Sequence, residues 1–127
     1  MKKEVKFYRC NKCGNLVYLV QESGAPLSCC GEKMTQLIPN TQEAAVEKHI
    51  PVVEQTDNSV IATVGSVEHP MVEEHFIQWI ALVGQDSIQM KYLSPGEKPS
   101  AEFYAKDLES FEVYEYCNLH GLWKMEK

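Results

Sequence analysis

The stretch HFIQWIALV, residues 75–83, decides the fold of this chain. Side chains of a β-strand point alternately to opposite faces, so every second residue of this stretch shares a face. One face carries Ile77, Trp79, Ala81 and Val83. The other face is also mostly apolar and carries Phe76, Gln78, Ile80 and Leu82. Because both faces avoid water, we predict that His75–Val83 is a central strand of a sheet.

Shorter stretches of the same kind lie on both sides of this strand. The candidates are Val46–Glu54, Ser59–Ser66, Ser87–Leu93, Ala101–Lys106, Ser110–Cys117 and Leu122–Met125. Turn residues separate them, as in Gly84-Gln85-Asp86. No long segment with the 3.6-residue period of a helix competes with this pattern. About seven short strands in roughly 80 residues predict a β-sandwich over residues 46–127.

The first third of the chain has a different character. Residues 1–36 hold many turn signals around two short apolar runs, Val5–Tyr8 and Leu16–Val20. So small a piece cannot bury enough apolar surface to fold unaided, and a bound metal is the usual remedy. We therefore expect a metal-stabilised domain over residues 1–36, a linker over 37–45 and the sandwich domain over 46–127.

Composition argues against two classes of partner. The 127 residues carry 12 Lys and Arg against 18 Asp and Glu, a net charge of −6. A nucleic-acid-binding protein needs a basic face that releases counterions, so we expect no nucleic acid. No stretch approaches the roughly 18 apolar residues that span a bilayer, so we expect no membrane either. The charged segment Met1–Val5 is not followed by the apolar core of a secretory signal, which favours a reducing compartment.

Four of the five cysteines fall within residues 10–30, and their spacing indicates a metal site. They are Cys10, Cys13, Cys29 and Cys30. Two residues between the first pair let both sulfurs face one ion, and the second pair completes four soft thiolate ligands for Zn²⁺ or iron. Adjacent cysteines point their side chains apart, a distortion that iron tolerates more readily than structural zinc.

A second set of metal-binding residues lies outside this cluster. It comprises all four histidines and the fifth cysteine: His49, His69, His75, Cys117 and His120. Each histidine stands near a proline, a glycine or a strand start, where a side chain can be aimed at a shared point. We predict a mononuclear metal site that uses this set.

Such a site would have a definite chemistry. Four neutral imidazoles and one thiolate leave a ferrous ion with a net charge of about +1 and one open position. A small anionic oxidant would be drawn there, and backbone N–H groups near Asn118 and Leu119 could tune the sulfur. Lys48 would steer the anion and help to protonate a bound peroxide. Glu47 is the nearby group that could fill the open position when the ion is ferric.

These motifs, in this order, resemble the desulfoferrodoxin family, the two-iron form of superoxide reductase. The motifs are Cys10-x2-Cys13-x15-Cys29-Cys30, Glu47-Lys48-His49-Ile50-Pro51, His69-Pro70-Met71 with His75, and Tyr116-Cys117-Asn118-Leu119-His120-Gly121-Leu122-Trp123. The resemblance implies a desulforedoxin-like domain with an FeCys4 centre and a seven-stranded immunoglobulin-like β-sandwich with an Fe(His)4Cys centre. It implies that the four histidines are equatorial ligands, that Cys117 is axial, and that Lys48 and Glu47 belong to the active-site loop.

The implied function is the one-electron reduction of superoxide to hydrogen peroxide without release of O2, as a detoxifying activity. The family is usually a cytoplasmic homodimer with a rubredoxin-like electron donor. Three alternatives stay open at this point. A two-iron electron-transfer protein would lack fast superoxide chemistry, a superoxide dismutase would release O2, and a zinc ribbon joined to a β-sandwich would only bind another protein.

Overall fold

The computed structural model describes residues 4–127, which form two compact units, residues 4–38 and residues 39–127. The first three residues of the predicted 1–36 domain lie outside the described range. Both units are built mainly of β-strands, as predicted. The one helix in residues 4–127 has four residues, and no helix there is long and apolar enough to cross a membrane.

The first unit contains five short strands. They are β1 (Phe7–Arg9), β2 (Leu16–Tyr18), β3 (Ser28–Cys29), β4 (Glu32–Lys33) and β5 (Thr35–Gln36). Strand β1 lies between β2 and β5 in an antiparallel sheet, while β3 and β4 form a separate hairpin. The buried apolar side chains include Phe7, which is 1% exposed, and Met34. So few buried side chains agree with the expectation that this piece depends on a metal.

The second unit contains one helical turn and seven strands. They are α1 (Val46–His49), β6 (Pro51–Gln55), β7 (Ser59–Val64), β8 (Ile77–Val83), β9 (Ile88–Tyr92), β10 (Ser100–Tyr104), β11 (Glu112–Cys117) and β12 (Gly121–Glu126). The strands form a three-stranded sheet in the order β10-β7-β6 and a four-stranded sheet in the order β12-β11-β8-β9. The predicted seven-stranded sandwich is confirmed.

One hydrophobic core joins the two sheets. Side chains from both enter it, among them Val60, Ala62, Ile80, Leu82, Phe103 and Val113. Strand β7 alternates between partly and fully buried residues, as a strand with one face on the core does. Strand β8 pairs with β11 on one side and β9 on the other, so the prediction of a central strand is confirmed.

One predicted strand begins too early. The prediction placed a strand over Val46–Glu54, but residues 46–49 form helix α1 and the strand starts at Pro51. The Ile50 N–H donates to Val46 O at 3.0 Å, which closes the helical turn. A residue that precedes proline is disfavoured in the helical conformation, and Ile50 is extended, with φ −68 and ψ 122. Proline therefore ends the turn and starts the strand.

Candidate metal centres

Four sulfur atoms meet in the first unit. They belong to Cys10, Cys13, Cys29 and Cys30, and they all lie within 4.8 Å of one another. Cys29 Sγ lies 3.6 Å from Cys13 Sγ and 3.9 Å from Cys30 Sγ. Four sulfurs bound at about 2.3 Å to one tetrahedral ion would be roughly 3.8 Å apart. The sulfur spacing therefore fits a single tetrahedral metal ion.

A tight turn brings the adjacent cysteines together. Cys29 ends β3, and Cys30 and Gly31 connect it to β4 with φ values of 54 and 76. Two successive residues with positive φ are typical of a type I′ hairpin turn. This turn redirects the Cys30 side chain, so that its sulfur reaches the same point as that of Cys29. The predicted divergence of the two side chains is thereby overcome.

Backbone hydrogen bonds shape the other half of this site. The Cys13 N–H donates to Cys10 Sγ and the Asn15 N–H to Cys13 Sγ, both at 3.5 Å. The Asn15 side-chain amide donates to Cys29 Sγ at 3.6 Å. Such N–H donors stabilise thiolates, and the backbone N–H groups of Cys13 and Lys12 lower the pKa of Cys10 to about 6.

The crowding of the four thiols favours a cation. The side-chain hydrogen bond with Cys13 is the largest of the effects that raise the pKa of Cys30 to about 12, and the negative charge of Cys10 raises it further. A bound metal ion would remove that repulsion and hold all four as thiolates. The donor set therefore fits the FeCys4 centre that the sequence predicts.

In the second unit, four imidazole rings surround one point. His49, His69, His75 and His120 follow one another in a closed circuit. Neighbouring ring centroids are 4.6–5.0 Å apart, and the interplanar angles are 75–86°. Cys117 completes the group, and the candidate ligand atoms of the five residues all lie within 4.8 Å of one another. The five residues predicted as one site thus come together.

The rings of His49 and His69 face each other with unprotonated nitrogens. His49 Nδ1 lies 2.7 Å from Ala45 O, and His69 Nδ1 lies 2.7 Å from Pro70 O. A carbonyl oxygen only accepts, so in both neutral rings the proton is on Nδ1 and Nε2 carries a lone pair. The two Nε2 atoms are nevertheless 3.2 Å apart. Nitrogens about 2.1 Å from one ion and at right angles would be roughly 3.0 Å apart, so a shared metal ion accounts for this approach.

The remaining ligand atoms fit the same ion. His75 Nε2 is buried and has no hydrogen-bond partner within residues 4–127. An unpartnered buried nitrogen is costly unless it coordinates a metal. His120 turns its Nδ1 toward Cys117 Sγ, 3.8 Å away. The predicted Fe(His)4Cys centre therefore has a complete donor set.

Burial keeps the imidazoles in the neutral form that binds metals. Desolvation lowers the pKa of His69 to about 4 and also lowers the pKa values of His49 and His75. Desolvation raises the pKa of Cys117, while the backbone N–H groups of Leu119 and His120 oppose that change. Cys117 is fully buried, so only a cation beside it would hold its thiolate form at neutral pH.

The backbone around Cys117 acts on its sulfur as expected. We predicted that N–H groups near Asn118 and Leu119 would tune it, and the N–H groups of Leu119 and His120 act to lower the pKa of Cys117. The Asn118 N–H donates to Phe76 O at 3.3 Å instead. The Asn118 side chain accepts from the Phe76 N–H at 2.9 Å and donates to Glu74 O at 3.0 Å. Asn118 therefore fastens the Cys117 turn to the segment that carries His75.

Three further residues of this site were not singled out from the sequence. Trp123 stacks on His49 at 5.0 Å and donates its indole N–H to His120 O at 3.0 Å. Gly65 lies against α1 so closely that a Cβ there would be 2.6 Å from Glu47 O. Glu115 is fully buried, and its carboxyl oxygens have no partner in the described chain. Trp123 stood in a quoted motif, but nothing local marked Gly65 or Glu115.

Lys48 and Glu47 lie on α1 beside the imidazoles. Glu47 is exposed and Lys48 is half-buried, and neither side chain has a hydrogen bond or ion pair within residues 4–127. The positive charge of Lys48 contributes to the lowered pKa values of His49 and His75. Lys48 is therefore close enough to act electrostatically on the site.

Comparisons with known proteins point to one family. The desulfoferrodoxin family model matches residues 41–126, and the model of the desulfoferrodoxin N-terminal domain matches residues 2–37. A desulfoferrodoxin from Syntrophotalea carbinolica is 47% identical over 126 residues, covering 99% of each chain. A second, from Nitratidesulfovibrio vulgaris, is 46% identical with the same coverage.

Solved structures agree with this assignment. The superoxide reductase from Treponema pallidum is 37% identical, has a TM-score of 0.80, and matches across 97% of this chain and 99% of its own. A one-iron superoxide reductase from Giardia intestinalis is 29% identical with a TM-score of 0.57 and covers 64% of this chain. The similarity to the Treponema pallidum structure thus extends over both units of this chain.

Proposed function

This chain belongs to the desulfoferrodoxin family, and from that premise we infer that it is a superoxide reductase. The reaction combines superoxide with one electron and two protons to give hydrogen peroxide, and no O2 is released. The observation that carries this inference is the closed circuit of four imidazoles with the Cys117 sulfur beside it. The two donor sets fit two iron ions, an FeCys4 centre and an Fe(His)4Cys centre.

His49, His69, His75, Cys117 and His120 would hold an iron ion, and that ion would supply the single electron for the reduction of superoxide. The protein's own contribution is to hold the ligands before the ion arrives. Carbonyl oxygens fix the protons of His49 and His69 on Nδ1, which leaves Nε2 free. Trp123 covers the face of His49, and Asn118 fixes the turn between Cys117 and His120. A preformed site avoids reorganisation during the reaction.

Solvent access to the site is uneven. His49, His69 and Cys117 are buried, whereas His75 and His120 are half-buried and Leu119 between the last two ligands is 59% exposed. Solvent therefore comes nearer to the site at His75 and His120 than at His49 and His69. The buried side holds the sulfur away from water, which protects a thiolate from oxidation.

We propose that Lys48 and Glu47 are the catalytic residues of the helix that carries His49. Lys48 would attract superoxide and supply positive charge for the uptake of protons by the product. Glu47 would offer its carboxylate as a further ligand for the ion that the histidines and Cys117 would hold. Two observations support these roles. Both residues lie on α1 and have no other side-chain partner among the described residues. The charge of Lys48 also contributes to the lowered pKa values of His49 and His75.

The role of Lys48 has a direct test. Lys48→Ala should slow the second-order reaction with superoxide by about tenfold and flatten its dependence on ionic strength. Pulse radiolysis measures both quantities. Lys48→Arg keeps the charge and should retain most of the rate, while Lys91→Ala, an exposed lysine of β9, should change neither. An unchanged rate and salt dependence in Lys48→Ala would remove Lys48 from the mechanism.

The function as a whole is tested on the reduced protein with two irons per chain. Mixing with superoxide should give one hydrogen peroxide per superoxide and no O2, together with oxidation of the second iron. Release of O2 would indicate a dismutase. Absence of a fast reaction, with normal reduction potentials, would favour the alternative of a two-iron electron-transfer protein.

We also propose the physiological setting that the family resemblance implies. The chain would detoxify superoxide in the cytoplasm as a homodimer, and a rubredoxin-like protein would return the electron. Five free cysteines suit a reducing compartment, and the edge strand β9 exposes Met90 and Tyr92, which favours association. Sedimentation analysis and cell fractionation test the dimer and the location, and a monomer at micromolar concentration would contradict the first.

A further inference from the structure

His75 is held in a different way from two of the other imidazole ligands. The rings of His49 and His69 each have a backbone carbonyl oxygen 2.7 Å from Nδ1, which fixes the proton and the direction of the ring. The imidazole of His75 makes no hydrogen bond within residues 4–127, and its buried Nε2 has no partner there. The direction of this ring therefore depends on where the backbone of residue 75 lies.

The backbone on both sides of His75 is bound to one side chain, the amide of Asn118. The Phe76 N–H donates to Asn118 Oδ1 at 2.9 Å, and Asn118 Nδ2 donates to Glu74 O at 3.0 Å. These two groups belong to the peptide units that flank the Cα of His75. The same two units bind Val72 through the N–H and carbonyl oxygen of His75, both at 3.0 Å. His75 is thus fixed from one side by a planar amide and from the other by its own turn.

Asn118 is the better-supported end of this contact. It lies in the turn between β11 and β12, and the last residue of β11 pairs with the first residue of β12. The indole N–H of Trp123 donates to His120 O at 3.0 Å, which supports the same turn. Neither contact involves the amide of Asn118. Loss of that amide would therefore displace His75 rather than Cys117.

We propose that Asn118 is a positioning residue for His75, whose side-chain amide holds both peptide units of His75 so that Nε2 meets the ion bound by the other four ligands. Only the redox part of this inference rests on the proposed function. A weaker bond from His75 would cost a ferric ion more than a ferrous ion, because the higher charge gains more from each ligand. The amide would thereby lower the reduction potential of the second iron.

The affinity of the second site for Fe2+ is the first measurement, made anaerobically by competition with a chelator. Asn118→Leu and Asn118→Ala both remove the two amide bonds, and each should lower the affinity by about tenfold. Asn40→Leu is the matched control, because the Asn40 amide makes the same pair of bonds to Lys124, at 2.8 and 3.1 Å. It should leave the affinity within about twofold. Equal affinities in all four proteins, or an equal loss in the control, would overturn the proposal.

NMR of the zinc-loaded full chain identifies the ligand on which Asn118 acts. Asn118→Ala should shift the imidazole 15N resonances of His75 more than those of His49 and His69. The opposite order would show that the amide acts elsewhere in the site and would overturn the proposal. A merely destabilised protein would show no such preference for one ring.

The reduction potential of the second iron is the third measurement, made on the two-iron protein. It should rise in Asn118→Ala and stay unchanged in Asn40→Leu, and an unchanged potential in Asn118→Ala would contradict the redox part. None of the three measurements uses superoxide. Pulse radiolysis of the wild type tests superoxide reduction separately, so failure of either proposal is distinguishable from failure of the other.

Discussion

At the scale of single residues, the second metal site depends on histidines that stay unprotonated. His69 is 2% exposed, and burial lowers its pKa to about 4, while an unfolded imidazole titrates near 6.5. Between these values the unfolded chain binds more protons than the folded chain. The free energy of unfolding of the metal-free protein must therefore fall as the pH drops from about 6.5 to about 4.

We expect His69 alone to contribute up to about 3 kcal/mol to this loss. Denaturant unfolding of the metal-free protein at several pH values measures it. His69→Gln is the variant for comparison. Its free energy of unfolding should change less between pH 6.5 and pH 4 than that of the wild type. Burial raises the pKa of Glu115 and gives a slope of opposite sign, but Glu115 is present in both proteins and cancels in the difference. Parallel profiles would contradict the assignment to His69.

At the scale of elements, the position of α1 depends on a glycine in another segment. Gly65 follows β7, and a Cβ at this position would lie 2.6 Å from Glu47 O and 2.9 Å from Lys48 C. These are backbone atoms, so the helix itself would have to move. Ser66 and Val67 also donate hydrogen bonds to Glu47 O, at 3.2 and 2.9 Å, which ties the two segments together.

Gly65→Ala should therefore displace α1 and the His49 ring it carries. We expect the affinity of the second site for iron to fall by about tenfold or more, since a ligand's orientation depends on its supporting contacts. Iron analysis after mild chelation measures the loss, while the FeCys4 absorption should persist. Gly84→Ala is the matched control, because the added carbon meets the flexible end of Leu108 at 3.2 Å. Retention of both irons in Gly65→Ala would disprove the constraint.

At the scale of the whole molecule, the two metal-binding groups belong to different compact units. The sulfur-only group lies within residues 4–38 and the imidazole group within residues 39–127. No residue is shared between the two groups. Loss of one ion should therefore leave the other donor set in place.

Cys13→Ser should abolish the FeCys4 absorption and leave superoxide reduction by the chemically reduced protein within about twofold of the wild type. Absorption, EPR and pulse radiolysis measure the two effects. Cys117→Ser is the reciprocal variant and should keep the FeCys4 spectrum while losing the reaction. Complete loss of superoxide reduction in a folded Cys13→Ser protein that keeps its second iron would show that the two centres act as one.

Much of the fold and the site follows from patterns that are local in sequence. Short apolar runs bounded by turn residues identified all seven strands of the second unit, because both signals lie in neighbouring residues. The same signal wrongly placed Val46–His49 in a strand. Val46 is 58% exposed, and these residues form a helical turn that ends before the proline at 51. The nine candidate ligands were found because thiol and imidazole groups are few in this chain.

The sequence by itself determined the chemistry of this protein: which donor atoms it offers and in what number. Only the tertiary structure decided the circuit of the four rings, the nitrogen that each of His49, His69 and His120 presents, and the roles of Gly65, Asn118 and Trp123. The physical reason is that a donor atom is a property of one side chain. Its direction depends on contacts between segments that are distant along the chain.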